Sequence, residues 1–206
     1  MEDFCPTDVV FRLNWLRCAD IAPGGIKLLQ EWIQEQKPKK SCSEADTKPI
    51  IEVILRGLGW DTLRGDVARE GVPELGDFHL YYKGDQEDRR IAVLIEAERL
   101  NCEPKELKGK PLRQLSDYVT KLATDPDPWI LRHRLDCGGK ILVYGVLTNG
   151  QLWWIYDGLK GLNDILPLAY PPALKFDLLK ADDLGNLLSL LSKEQVCARV
   201  EKFLKG

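Results

Sequence analysis

Apolar positions between residues 43 and 59 repeat at helical spacing. Ser43 is a candidate N-cap, and Asp46 lies three residues later, as in a capping box. The repeat ends near Gly57 or Gly59. The predicted buried face consists of Ile50, Ile51, Ile54, Leu55 and Leu58. Pro49 lies inside the pattern, where it marks either a later helix start or a kink.

Apolar runs and alternation then predict three strands. They are Leu63–Arg69, Asp77–Tyr82 and Arg90–Arg99. The charged loop Lys83–Arg89 joins the last two as in a hairpin. The third strand is apolar on both faces over most of its length, which is typical of a central strand.

Two more strands, Lys140–Leu147 and Leu152–Tyr156, flank Asn149-Gly150, a dipeptide typical of hairpin turns. Further helical patterns are Pro111–Thr124, Ala181–Leu191 and Lys193–Leu204. This order of helices and strands predicts an α/β or α+β sandwich.

The chain divides into three predicted segments. Residues 1–42 hold a short accessory helix, Gly25–Gln36, and a linker, Gln34–Ser43. Residues 43–160 form the core, and residues 161–206 form a C-terminal helical extension. A length of 206 residues suffices for one sizeable domain with a small appendage.

Composition narrows the class of protein. Hydrophobic residues make up 44% and charged residues 30% of the chain, as in ordinary globular domains. Apolar runs such as Ile91–Ile95 are too short for a membrane span, and the N-terminus lacks a secretory signal pattern, so we expect a cytoplasmic protein with no membrane contact. The net charge of −3 argues against a dedicated nucleic-acid binder but does not exclude a nuclease with central carboxylates.

Cysteine and histidine offer little metal chemistry. The six cysteines are scattered without a CxxC pair, and the two histidines, His79 and His133, cannot form a three-histidine zinc site. We therefore expect no structural zinc site, and free thiols in a reducing compartment are the simplest interpretation.

Carboxylates gather at one end of the third strand. By alternation, Glu96 and Glu98 share a face, with Cα atoms about 6.6 Å apart. Asp77 opens the preceding strand, and a hairpin brings the start of one strand beside the end of the other. Three carboxylates favour Mg²⁺ or Mn²⁺ over zinc, and without metal their mutual repulsion raises at least one pKa. The alternative is a set of ordinary solvated acids at strand ends.

Four stretches of the sequence carry a family resemblance. They are Ser43–Thr47 with Leu58–Asp61, Gly76–Phe78 with Ile95–Ala97, Gln114-x-x-x-Tyr118, and Tyr144–Gly150 running to Trp154–Asp157. In this order they resemble PD-(D/E)xK nucleases, and more narrowly the N-terminal nuclease domain of type I restriction enzyme R subunits. The resemblance covers residues 43–160 and implies a restriction-endonuclease-like core, a mixed central sheet flanked by helices.

The resemblance also implies site residues. Glu44 would be an acid on the first helix, and Asp77 and Glu96 would be metal ligands. Gln114 and Tyr118 match a QxxxY motif that accompanies the catalytic core, and at i and i+4 they share one helix face. The alternative for that pair is a surface glutamine and a half-buried tyrosine.

Glu98 stands where the family pattern has lysine, which activates water or stabilises charge on the phosphate. Glutamate supplies no positive charge, although some active members of the wider fold carry it here, and Glu98 can bind a second metal ion or orient water. Arg99 is expected to face the opposite side of the strand. Lysines that can reach the site from the next segment are Lys105, Lys108 and Lys110.

The implied function is a divalent-metal-dependent DNA endonuclease acting in restriction-modification or another defence or repair process. Since the chain contains no GxxxxGK[ST] loop, we expect no ATP motor of its own. The chain is then either a stand-alone domain or one that acts as a homodimer or with a partner protein supplying motor or specificity functions. The alternatives are a catalytically degenerate fold that binds nucleic acid or protein, and a purely structural interaction domain.

Three smaller features each have two interpretations. His79 shares a strand face with Asp77, and cross-strand packing is favoured over a role in the site. Trp153-Trp154 places one ring on each side of a strand, so at least one is expected in the core, with base stacking as the alternative. The basic stretch Lys105–Arg113 either meets phosphates or is solvated.

Overall fold

The computed structural model describes residues 30–31, 33–35, 43–61, 67–69, 75–82, 89–135, 143–157 and 172–205. Most of the N-terminal accessory segment and its linker, the charged loop after the second predicted strand, and the beginnings of two predicted strands lie outside these residues.

The described strands form one six-stranded sheet, whose spatial order is the same as the sequence order. The strands are β1 (Val67–Arg69), β2 (Phe78–Tyr82), β3 (Arg90–Ala97), β4 (Tyr144–Thr148), β5 (Leu152–Asp157) and β6 (Leu174–Asp177). The helices are α1 (Glu44–Gly57), α2 (Pro104–Leu107), α3 (Lys110–Thr124), α4 (Pro128–His133), α5 (Ala181–Leu191) and α6 (Lys193–Lys205).

The sheet is mixed. Strands β3 and β4 pair in parallel, with Val93 opposite Tyr144, and the other neighbouring pairs are antiparallel. Helices α2, α3 and α4 lie between β3 and β4 in the sequence, as a parallel connection requires. The predicted α+β architecture, a mixed central sheet flanked by helices, is confirmed.

Helix α1 begins where the sequence pattern predicts. The backbone N–H of Ser43 donates to Asp46 Oδ2 at 2.7 Å, which completes the capping box. The helix continues through Pro49 to Gly57, so the proline does not mark a later start, and a kink there stays a prediction. The predicted apolar side chains of the helix are all buried.

Both faces of the sheet are covered. Helices α1, α5 and α6 pack on one face, around a cluster that includes Ile51 and Trp153. Helices α2, α3 and α4 pack on the other face, around a cluster that includes Leu115 and Trp154. The two tryptophans of β5 thus point to opposite faces as predicted, and both are buried, which leaves neither ring open for base stacking.

The C-terminal segment belongs to the main core. The predicted helices α5 and α6 are confirmed, and Val196 and Val200 are fully buried in the same cluster as α1. The sequence did not predict β6, which adds an edge of hydrogen bonds to β5. The boundary at residue 160 stays a prediction. Among the described residues, no helix is both long and apolar enough to cross a membrane.

Candidate functional site

Asp77 lies beside Glu96, because β2 and β3 form the predicted antiparallel pair. Phe78 pairs with Ile95, and the Asp77 N–H donates to the Ile95 carbonyl at 2.9 Å. The Ala97 N–H in turn donates to Asp77 Oδ2 at 2.7 Å. One carboxylate oxygen of Asp77 is therefore fixed by the backbone of β3, next to the glutamate that the motif pairs with it.

Gly76 permits this close approach. Its φ is +90°, a region that favours glycine, and a Cβ there would lie 3.0 Å from the Ile95 carbonyl oxygen and 3.6 Å from Glu96 Oε2. A side chain at position 76 would therefore push the start of β2 away from the end of β3.

Glu96 is a buried carboxyl group, with a relative exposure of 5%. Burial, as the largest cause, and the neighbouring charges of Asp77, Glu98 and Glu44 together raise its pKa from 4.5 to about 8, against the opposing effect of Lys48. The sequence predicted a raised pKa from mutual repulsion of the acids; that repulsion contributes here, but burial is the larger cause. In the absence of a compensating cation, Glu96 holds a proton at neutral pH.

Glu98 is half-buried just beyond the end of β3. Its N–H donates to the Thr148 carbonyl at 2.8 Å, which extends the β3–β4 pairing by one step. Burial raises the pKa of its carboxyl group, and Glu44 raises it further, whereas Lys110 acts in the opposite direction. Of the lysines predicted to reach the site, Lys110 is thus close enough to lower the pKa of Glu98 through its charge.

Lys48 is the cation that the sequence interpretation missed. Its Nζ lies 2.8 Å from Asp77 Oδ1, and the two side chains are only 17% and 14% exposed. Lys48 lies four residues after Glu44, so both project from one face of α1. The sequence shows this spacing, but it indicates a contact with Asp77 only when the position of α1 beside the start of β2 is known.

The β4–β5 turn places α1 there. Gly150 has φ +85°, and a Cβ on it would lie 3.1 Å from Thr47 Cγ2, so the helix packs directly on the turn. Thr47 is fully buried. Lys48, the next residue, consequently projects from the edge of this contact towards Asp77.

The turn is itself tied to the segment that follows β3. Asn149 Oδ1 accepts from the N–H groups of Gln151 and Leu152, at 3.1 and 2.7 Å. Asn149 Nδ2 donates to the carbonyls of Leu100 and Cys102, at 3.2 and 2.9 Å. One buried side chain thus links the turn under α1 to the chain leaving the carboxylate end of β3.

Comparisons with known proteins do not name a family. No protein-family model, curated protein or solved structure matches the chain. The resemblance to PD-(D/E)xK nucleases therefore rests on the sequence motifs. The structure adds that Asp77 and Glu96 lie next to each other.

The remaining predicted site residues lie on helices α1 and α3. Glu44 is exposed in the first turn of α1. Gln114 and Tyr118 are half-buried on α3, which packs on β3 and β4, and Tyr118 packs against the apolar cluster beneath that helix. A role for these two residues in the site stays a prediction.

Two other side chains have structural partners. Arg99 is exposed and forms an ion pair with Glu106 at 3.3 Å, so it does not replace the motif lysine. His79 is buried, its Nε2 lies 2.9 Å from the Leu75 carbonyl oxygen, and its ring meets Tyr81 edge-on, with ring centroids 6.2 Å apart. These contacts lie within β2 and the residues just before it, so the cross-strand packing role of His79 stays a prediction.

The donor set limits which metal ion the site can take. Within the described ranges, no three or more His, Cys, Asp or Glu side chains lie close enough together to hold a metal ion, so Glu98 does not complete a three-ligand set. Asp77 and Glu96 remain as a pair of oxygen ligands. Mg²⁺ commonly keeps several waters and takes one or two carboxylates, with substrate phosphate completing its shell, so binding of Mg²⁺ or Mn²⁺ by this pair stays a prediction.

Proposed function

We propose that the chain is a divalent-metal-dependent DNA endonuclease domain that hydrolyses phosphodiester bonds, as in restriction or another defence process in the cytoplasm. The observation that carries the proposal is the pairing of Asp77 with the buried Glu96, at the C-terminal end of a strand that pairs in parallel. Burying a carboxyl group among other acids is costly, and a cation offsets that cost. Function accounts for such an arrangement better than folding stability does.

Asp77 and Glu96 would hold the ion. An Mg²⁺ or Mn²⁺ ion held by these two residues would polarise the phosphoryl oxygen and lower the pKa of a coordinated water. The protein positions the two ligands from adjacent strands, with Gly76 allowing the approach and the Ala97 N–H fixing one oxygen of Asp77. A metal ion would bind the ionised form of Glu96, whose pKa is raised. Metal binding would therefore release the proton of this carboxyl group.

Cleavage assays test the proposal. Purified protein is incubated with plasmid and linear DNA in Mg²⁺, in Mn²⁺ and in EDTA. We expect cleavage only with the ions, and a loss of at least about 100-fold in Asp77→Asn and Glu96→Gln, because each substitution removes an ionisable ligand. Asp182→Asn, an exposed acid on α5, is the matched control and is expected to cut at the wild-type rate.

The negative result is equally clear. Wild-type protein that cuts neither substrate with either ion and binds no Mn²⁺ by calorimetry would sink the proposal. Cleavage that survives in both Asp77→Asn and Glu96→Gln would assign the activity to another site or to a contaminating nuclease.

A second candidate function is a catalytically degenerate nuclease fold that binds nucleic acid or a protein partner. Glu98 at the lysine position favours it, and so does the absence of a three-ligand set within the described residues. This candidate predicts DNA binding that is unaffected by Glu96→Gln and by EDTA, with no cleavage. Electrophoretic mobility shifts measured beside the cleavage assay distinguish the two candidates.

A further inference from the structure

We infer that Lys48, from helix α1, performs the charge-stabilising role that the nuclease motif assigns to a lysine at position 98. The inference rests on the proposed function and deepens it by naming a further catalytic residue. Its basis is the 2.8 Å contact between Lys48 Nζ and Asp77 Oδ1, which brings an ammonium group to the proposed ligand pair from a different element of the fold.

The geometry favours Lys48 over the other basic residues near the site. Arg99 is exposed and paired with Glu106, and Lys105 and Lys108 are exposed on the segment after β3. Lys110 is also exposed, and its charge bears on Glu98. The side chain of Lys48, in contrast, is largely buried and directly contacts a proposed ligand.

Burial makes this cation effective. Coulombic attraction strengthens as solvent is excluded, so a shielded ammonium stabilises developing negative charge more than an exposed one does. The packing of Thr47 on the β4–β5 turn holds α1 in place, which restricts the positions that the next residue can reach. Lys48 is thus presented by a rigid element, as a preorganised group must be.

The step that Lys48 assists is hydrolysis of a phosphodiester. A water oxygen bonds to phosphorus, the bond from phosphorus to the leaving oxygen breaks, the water loses one proton to solvent, and the leaving oxygen takes one up. Negative charge builds on the phosphoryl oxygens during this exchange. The Lys48 ammonium donates a hydrogen bond to one of those oxygens and remains protonated throughout.

The test combines rate with metal affinity. Lys48→Met removes the charge and keeps the length of the side chain, and Lys48→Gln provides a polar neutral variant should the first not fold. Single-turnover cleavage of linear DNA at saturating Mn²⁺ is expected to fall by about 100-fold in either variant. Mn²⁺ binding measured by calorimetry is expected to be retained or tightened, because the competing ammonium on Asp77 is gone. Lys202→Met, an exposed lysine on α6, is the matched control.

A second-site variant separates chemistry from structure. Glu98→Lys placed in the Lys48→Met background restores a lysine at the motif position, and we expect at least tenfold recovery of the rate. A double variant as slow as Lys48→Met overturns the inference. So does a Lys48→Met protein that cuts within threefold of wild type, or one that loses Mn²⁺ affinity in proportion to its rate, since Lys48 would then only organise the carboxylates.

These results are distinguishable from failure of the proposed function. Wild-type protein that neither cuts DNA nor binds Mn²⁺ sinks both the nuclease proposal and the role of Lys48. Wild-type protein that cuts normally, beside a Lys48→Met variant that cuts equally well, sinks only the latter.

Discussion

At the scale of single residues, Glu96 is held in its unfavourable environment by the strands around it. Its carboxyl group is buried next to Asp77, on a strand that pairs with both β2 and β4. The raised pKa is the electrostatic consequence of that confinement. Proton release on metal binding and a pH-dependent stability are two measurable results.

Glu96→Gln is expected to stabilise the metal-free protein at neutral pH. The folded-state pKa of about 8 lies above the unfolded value of 4.5, so between these pH values the folded state keeps a proton that the unfolded state has lost. The contribution of Glu96 to the free energy of unfolding therefore falls as pH rises through this window. In urea unfolding from pH 5 to 8, the free energy of unfolding of Glu96→Gln should rise relative to that of wild type, by about 3 kcal/mol near pH 7.

Glu194→Gln is the control for this measurement, because Glu194 is exposed on α6. Its free energy of unfolding should follow wild type at every pH. A Glu96→Gln protein whose difference from wild type is constant across the window would show that Glu96 is ionised in the folded state.

The sequence predicted part of this site for identifiable reasons. Asp77 and Glu96 follow from strand alternation and hairpin geometry, both of which depend only on neighbouring sequence. Lys48 could not be found that way, because its contact with Asp77 depends on where α1 docks. That docking includes the close packing of Thr47 on Gly150, a residue distant in sequence, which no local pattern connects to α1.

At the scale of elements, the β4–β5 turn does more than reverse the chain. The side chain of Asn149, a residue only 2% exposed, makes four hydrogen bonds, two within the turn and two to the segment after β3. The Asn-Gly pattern predicted the turn but not these outward bonds. The turn therefore connects α1, through the packing of Gly150, to the segment that follows β3, through the hydrogen bonds of Asn149. We call this its bracing role.

Asn149→Ala is expected to lower the free energy of unfolding by about 3 kcal/mol. The substitution leaves the carbonyls of Leu100 and Cys102 and two N–H groups of the turn without their side-chain partner, and buried unpaired polar groups are costly. Chemical denaturation measures the change. Asn186→Ala, at an exposed position of α5, should stay within about 0.5 kcal/mol of wild type. Equal effects of the two substitutions would contradict the bracing role.

The elements that the sequence predicted share long, regular patterns. Strands β2, β3 and β5 and helices α1, α3, α5 and α6 each carry such a pattern, and their positions agree closely with it. Helices α2 and α4 have four and six residues, too short for an apolar repeat to register. Strand β6 was missed because its four residues are too few for an alternating pattern to stand out, and Phe176 alone is buried among its first three residues.

At the scale of the whole molecule, the C-terminal helices and the candidate site share one core. Val196 and Val200 of α6 pack in the same cluster as Ile51 of α1 and Trp153 of β5. The indole of Trp60, at the end of α1, donates to the Leu191 carbonyl at 2.9 Å, which links the two helical regions. A destabilising substitution in α6 is therefore expected to destabilise the sheet as well.

Val200→Ala tests that connection. Truncating a fully buried valine should cost about 2 kcal/mol, and the whole described fold should lose stability in a single transition. Urea curves followed by tryptophan fluorescence and by far-ultraviolet circular dichroism should shift together, whereas Lys202→Ala, at an exposed position, should leave both unchanged. A shift in one signal alone would mean that the C-terminal segment unfolds independently.

The sequence-ordered sheet has a consequence for how the chain folds. Four of the five strand pairings join strands that are consecutive and antiparallel, whereas β3 and β4 must meet in parallel across the long crossover that carries α2, α3 and α4. Closing that crossover has the largest chain-entropy cost, so we expect it to limit the folding rate. The hairpin that carries Asp77 and Glu96 lies wholly on one side of it. The two acids can therefore meet early, and the lysine of α1 joins them only after the β4–β5 turn has arrived to support its helix.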